Sequence, residues 1–133
     1  MTRESFLTSR ATWILAALLI ITFVPFLGET LFNTKGEPRE AIVAVSMLQS
    51  GDWILPVSNG GDIPYKPPMF AWIIAAVSWL NGGSVTEMTS RLPSALAMIV
   101  MTMTVYGVMR RHTAQSVSFM TAIVLATSFE VHR

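Results

Sequence analysis

The sequence contains no cysteine and has little charge. Without cysteine, disulfide bonds, thiolate metal sites and cysteine nucleophiles are excluded. Charged residues make up 13% of the 133 positions, about half the share usual for a soluble domain, whereas 52% are hydrophobic. The net charge of +1 gives no electrostatic basis for binding nucleic acid. These limits indicate a membrane protein whose chemistry must come from Asp, Glu, Lys, Arg, His, Tyr or backbone groups.

The short motifs of P-loop proteins, α/β-hydrolases and zinc proteases are missing as well. His112 and His132 are too isolated in the sequence to have the spacing of metal ligands. The residues alone therefore predict no metal site.

Three apolar runs predict membrane-spanning helices at 11–27, 92–109 and 114–129. An α-helix needs about 17–25 residues to cross the hydrocarbon core of a bilayer, and these runs reach or approach that length. The first run follows Arg3 and Arg10, as the apolar part of a signal peptide would. No small-residue cleavage site follows it, so we interpret it as an uncleaved span, with a removed signal peptide as the alternative.

Residues 28–91 are predicted to form a large polar loop, because they hold six of the eight acidic residues of the chain. Within this loop a helix is expected over 37–50, since Pro38 suits a first helical turn and Gly51 suits a helix end. A second short helix is expected over 68–80. It is too short to cross a bilayer and fits the membrane interface better.

The basic residues set the expected orientation. Residues 1–10 and the turn 110–113 carry most of the arginine outside the loop, and positive residues favour the cytoplasmic side. Both fall on that side only if the helix over 68–80 does not cross the membrane. The fold predicted is an all-α membrane protein with three transmembrane helices and an outer loop that carries two juxtamembrane helices. Because the chain stops directly after the third span, we expect the full protein to be longer.

An ordered series of motifs in the loop supports a family resemblance over about residues 10–115. The series is Gly36-Glu37-Pro38-Arg39-Glu40-Ala41, Ser50-Gly51-Asp52-Trp53-Ile54-Leu55-Pro56, Asn59-Gly60, Tyr65-Lys66-Pro67-Pro68 and Ser90-Arg91-Leu92-Pro93-Ser94. It resembles the N-terminal segment of bacterial membrane glycosyltransferases of family 39, the protein O-mannosyltransferase-like enzymes of the GT-C class. The lipid A aminoarabinose transferases are similar in this segment.

The resemblance implies a multi-span enzyme of the bacterial inner membrane with a cytoplasmic N-terminus. Such an enzyme transfers a sugar from a polyprenyl-phosphate donor to a lipid or protein acceptor on the periplasmic side. Acidic residues of the first outer loop take part in catalysis. No cofactor is certain, although a divalent metal is compatible with the family.

Two positions depart from the family pattern. Gly36 stands where relatives have the Asp assigned as the base, and Tyr65 stands where many have Glu. The resemblance then makes Glu37 the candidate catalytic base, unless this branch draws its base from elsewhere. From the residues alone, Glu37 is equally explained as an acid that stabilises the first turn of a helix.

The basic residues of the loop are candidates for contacts with the donor phosphate. Arg39 offers a planar fork for phosphate and Lys66 offers a point charge, but both would also suit a solvated loop. Glu40, Tyr65 and Arg91 are further candidates for the same site. For Arg91, pairing with a lipid headgroup or with an acid of the loop is the alternative.

A different class of function remains open from the sequence alone. A small three-span protein could be a non-enzymatic accessory factor or a transporter subunit that uses the outer loop for docking. In that case the acids and bases of the loop would form only a solvated surface.

Overall fold

The described part of the chain is entirely helical outside its loops. The computed structural model describes residues 10–32, 36–58, 61–64 and 66–128. Its five helices are α1 (Arg10–Phe23), α2 (Gly36–Ser50), α3 (Met69–Leu80), α4 (Glu87–His112) and α5 (Gln115–Ala126). The predicted all-α class is thereby confirmed for these residues.

The ends of α1 and α2 follow from local sequence. α1 ends at Phe23, two residues before Pro25, since the residue before a proline disfavours helical geometry. α2 has Glu37 in its first turn and ends at Ser50. Gly51 follows with a φ of 74°, and its N–H donates to the carbonyl of Met47 at 3.0 Å. This left-handed glycine is the predicted helix stop.

α4 begins earlier than the apolar run at 92–109 suggests. Thr86 and Thr89 cap its start reciprocally: the Thr86 N–H donates to Thr89 Oγ1 at 2.9 Å, and the Thr89 N–H donates to Thr86 Oγ1 at 3.2 Å. This arrangement satisfies N–H groups that have no partner within the helix. The helix continues through Pro93 to His112.

The chain divides into two compact units. The first comprises Met1–Pro25 and Ser94–Arg133, and the second comprises Phe26–Pro93. In the first unit the described residues pack around Tyr106 of α4, which is fully buried. Its ring meets Phe119 of α5 edge to face, with centroids 6.4 Å apart. The buried apolar neighbours are Leu15, Leu19, Ala122 and Ala126.

In the second unit, α2 packs on α3 through small residues. Alanines on both helices are buried, which allows close approach of the two backbones, and Met47 fills the space beside them. The cluster consists of Val43, Ala44, Met47, Ala71, Ile74 and Ala75. Ser78 of α3 donates a buried hydrogen bond to Thr89 Oγ1 at 2.9 Å, which ties α3 to the start of α4.

Among the described helices, only α4 is both long and apolar enough to cross a membrane. Its 26 residues reach about 39 Å at 1.5 Å per residue, more than a hydrocarbon core of about 30 Å. Only 17% of its most apolar stretch is buried, whereas a core helix of a soluble protein would be mostly buried. α1, α3 and α5 are shorter apolar helices. Three spans are therefore not confirmed, and those at 11–27 and 114–129 stay predictions.

Candidate functional site

In the second unit, Glu37 and Arg91 form an ion pair that is held by several hydrogen bonds. Arg91 Nε donates to Oε1 of Glu37 at 3.2 Å, and Nη2 donates to Oε2 at 3.2 Å. Two parallel hydrogen bonds between a guanidinium and a carboxylate fix both the distance and the orientation of the pair. The side chains are 16% exposed for Arg91 and 33% for Glu37, so the pair is shielded but still reaches solvent.

Arg91 also binds the segment that precedes α2. Its Nη1 donates to the carbonyls of Leu27 at 3.0 Å and Thr30 at 2.8 Å, and to Thr30 Oγ1 at 3.0 Å. Its Nη2 donates to the Leu31 carbonyl at 3.1 Å. The guanidinium carbon lies 5.7 Å from the ring centroid of Phe32. A guanidinium has five N–H groups, and those of Arg91 all face acceptors within the protein.

Local structure explains how the two charges meet. Glu37 lies in the first turn of α2, and Arg91 lies in the second turn of α4, where the capping threonines fix the helix start. The two residues are 54 positions apart in the chain. The ion pair thus joins the beginnings of two helices and the segment before α2.

A second, looser ion pair lies on the same side of α2. Glu40 follows Glu37 by three residues, a spacing that puts both side chains on one helix face. Lys66 Nζ lies 4.0 Å from Oε1 of Glu40, which is too long for a hydrogen bond. The Lys66 side chain is 52% exposed and that of Glu40 is 18% exposed. The structure therefore brings Lys66 to the beginning of α2.

Arg39, a further candidate, lies elsewhere. Arg39 is exposed and follows Glu37 by two residues, which turns it about 200° around the helix axis from that glutamate. Tyr65 lies outside the described residues. Arg39 is thus not on the face that carries the two ion pairs.

Asp52 and Trp53 have structural contacts. Asp52 Oδ1 accepts hydrogen bonds from the backbone N–H of Ile54 and of Leu55, each at 3.0 Å, which closes a turn after α2. The Trp53 carbonyl accepts a hydrogen bond from Trp72 Nε1 at 2.6 Å, which holds this turn against α3. These contacts explain the Ser-Gly-Asp-Trp motif without any chemical role.

Across the residues described, no three His, Cys, Asp or Glu side chains come together in a way that could hold a metal ion. The side chains of the two ion pairs supply only two carboxylates, each with a basic partner.

Sequence reasoning underrated Arg91 and missed its backbone partners. An arginine directly before an apolar run usually indicates a membrane boundary, and the sequence offered pairing with an acid of the loop only as an alternative, which the contact with Glu37 now matches. Nothing in the segment from Leu27 to Phe32 has a recognisable motif, because its contribution is made by carbonyl groups that every sequence has.

Comparison with known proteins assigns the family. The sequence model described as dolichyl-phosphate-mannose-protein mannosyltransferase matches residues 65–132, just over half of the chain. The chain belongs to this family, which confirms the resemblance drawn from the motifs. Family membership and the apolar α4 together indicate a membrane protein.

Two relatives extend the match toward the N-terminus. An uncharacterized protein of Aquifex aeolicus is 28% identical over 107 residues, which covers 78% of this chain and 25% of the relative. An undecaprenyl phosphate-alpha-4-amino-4-deoxy-L-arabinose arabinosyl transferase of Edwardsiella ictaluri is 31% identical over 103 residues, which covers 76% of this chain and 18% of the relative. The chain thus spans a quarter or less of the length of these relatives. No solved structure matches it.

Proposed function

We propose that this chain is part of a bacterial inner-membrane glycosyltransferase of the GT-C class. The enzyme would transfer a sugar from a polyprenyl-phosphate donor to a lipid or protein acceptor on the periplasmic side. The observation that carries this proposal is the pair of acids on one face of α2, each with a basic partner from another segment. Family membership and the arabinosyl transferase relative support the same reaction class.

Glu37 is the proposed general base. In the transfer, the acceptor hydroxyl oxygen bonds to the anomeric carbon of the sugar, and the bond from that carbon to the phosphate oxygen breaks. The hydroxyl proton goes to Glu37, and the bonding electron pair leaves with the polyprenyl phosphate. The one-third exposed side chain leaves a route for an acceptor.

Lys66 is the proposed contact for the donor phosphate. Its ammonium group is a mobile point charge, about half exposed, and its ion pair with Glu40 is long. Exposed ion pairs contribute at most about 1 kcal/mol, so giving up the contact with Glu40 when a phosphate binds costs little. Arg39, which is exposed in the first turns of the same helix, is a second proposed phosphate contact.

The proposed topology places residues 1–10 and 110–113 in the cytoplasm and 28–91 in the periplasm. The basic residues at both cytoplasmic positions support this orientation. It puts Glu37, Lys66 and the acceptor on the same side of the membrane.

The test is sugar transfer by the complete gene product in membranes. Two radiolabelled donors are supplied, undecaprenyl phosphate-4-amino-4-deoxy-L-arabinose and a polyprenyl phosphate-mannose, and release of polyprenyl phosphate is followed. Glu37→Gln is expected to lower kcat by about 10²- to 10⁴-fold, the usual contribution of a general base. Glu29→Gln is the matched control, because Glu29 is an exposed acid of the same unit. Equal activity of the two variants would contradict the role of Glu37, and turnover of neither donor by the unaltered protein would contradict these donor classes.

A further inference from the structure

We propose that Arg91 is a positioning residue that acts on the reaction through Glu37. This inference rests on the proposed function. Arg91 does not contact the donor, because its N–H groups already face acceptors within the protein. Its own position is fixed by the carbonyls of Leu27, Thr30 and Leu31. It therefore serves as a rigid support that orients the Glu37 carboxylate.

The geometry explains why a rigid support matters. A glutamate side chain has three rotatable bonds, and an unrestrained carboxylate in the first turn of a helix would sample several directions. The two parallel bonds from Arg91 select one of them. Proton transfer in the reaction requires the base within hydrogen-bond distance of the acceptor, and a misplacement of about 1 Å can lower the rate about 100-fold.

Substitution by lysine separates charge from geometry. Arg91→Lys keeps the positive charge but cannot donate two parallel hydrogen bonds to Glu37. We expect kcat to fall about 10- to 100-fold. KM for the donor should change less than about twofold, because the substitution removes no contact that binds the donor. Affinity for undecaprenyl phosphate alone should also stay within about twofold of the unaltered protein.

A double-mutant cycle distinguishes positioning from a general structural role. Arg91→Lys is compared in the unaltered enzyme and in the Glu37→Gln enzyme, with the complete protein and radiolabelled donor. If Arg91 acts through Glu37, the loss of kcat that it causes disappears in the Glu37→Gln background. Equal fold losses in both backgrounds would overturn the inference and leave the proposed glycosyltransferase standing. A large loss of affinity for undecaprenyl phosphate would also overturn it, because Arg91 would then contact the donor directly.

Thr30→Val provides the same test if Arg91→Lys does not accumulate in membranes. It removes the Thr30 Oγ1 acceptor from Arg91 Nη1 and leaves the Glu37 pair in place. The loosened support should lower kcat severalfold in the unaltered enzyme and leave it unchanged in the Glu37→Gln enzyme. If Glu37→Gln itself has no effect on kcat, the proposed base and the role of Arg91 both fail.

Discussion

Replacing Arg91 by glutamine should loosen the segment before α2 more than replacing Glu37 by glutamine. Four of the six hydrogen bonds from Arg91 go to Leu27, Thr30 and Leu31, and only two go to Glu37. The exposed bonds to Thr30 and Leu31 should contribute about 0.5 kcal/mol each, and the half-buried bonds about 1 kcal/mol each. Because the glutamine amide can keep some of these bonds in either variant, we expect Arg91→Gln to lower the free energy of local opening by about 3 kcal/mol, and Glu37→Gln by about 1 kcal/mol.

Native-state proteolysis measures this difference directly. Cleavage by chymotrypsin after Leu31 requires its carbonyl to leave Arg91 Nη2, so the cleavage rate should follow the population of the open form. Since 1.4 kcal/mol corresponds to a factor of ten, the rate should rise about 100-fold for Arg91→Gln and about fivefold for Glu37→Gln. Cleavage after Leu80, which is 80% exposed, serves as the internal control. A rise for Arg91→Gln that is equal to or smaller than the rise for Glu37→Gln would refute the reasoning, because the backbone carbonyls would then contribute nothing.

Two further predictions concern topology and packing. Because the chain has no cysteine, single introduced cysteines report topology without background labelling of this chain. In intact cells, a membrane-impermeant maleimide should label Asp62→Cys and Asn81→Cys but not Gln115→Cys. Labelling at position 115 and not at position 81 would mean that α3 crosses the membrane. Met47→Ala should lower the free energy of unfolding of the second unit by about 2 to 5 kcal/mol, because Met47 is fully buried between α2 and α3. Leu80→Ala, at an exposed position, should change it by less than about 0.5 kcal/mol, and equal shifts in thermal unfolding would show that Met47 is not a core residue.

The helices within residues 28–91 were predictable because their ends are encoded locally. Pro38 suits a first helical turn and Gly51 suits a helix end, and in the structure Pro38 lies in the first turn of α2 and Gly51 directly follows its last residue. The start of α4 was harder to predict. Its cap uses Thr86 and Thr89, whereas the usual capping motif has a glutamate or glutamine at the second position. The helix start was therefore predicted from the apolar run that begins after Arg91, at a position that lies inside α4.

The site was less predictable than the helices because its contacts are distant in the chain. Glu37 and Lys66 could be selected from local motifs, but no local pattern predicts which charges will meet across 54 residues. The carbonyls that hold Arg91 leave no trace in the sequence, since every residue has one. A sequence can therefore indicate the two charged residues of a salt bridge but not that they pair with each other.

The unequal strength of the two ion pairs supports a division of roles between them. Arg91 holds Glu37 with two hydrogen bonds and is only 16% exposed, so exchanging that carboxylate for a phosphate would disrupt several contacts at once. Lys66 lies 4.0 Å from Glu40 and is about half exposed, so the contact between these two residues contributes little to stability. A transferase needs both properties, a base that stays in place and a cation that exchanges one anion for another during each cycle. Under the proposed function, Lys66 rather than Arg91 is therefore the phosphate contact, although arginine is the better phosphate ligand by geometry alone.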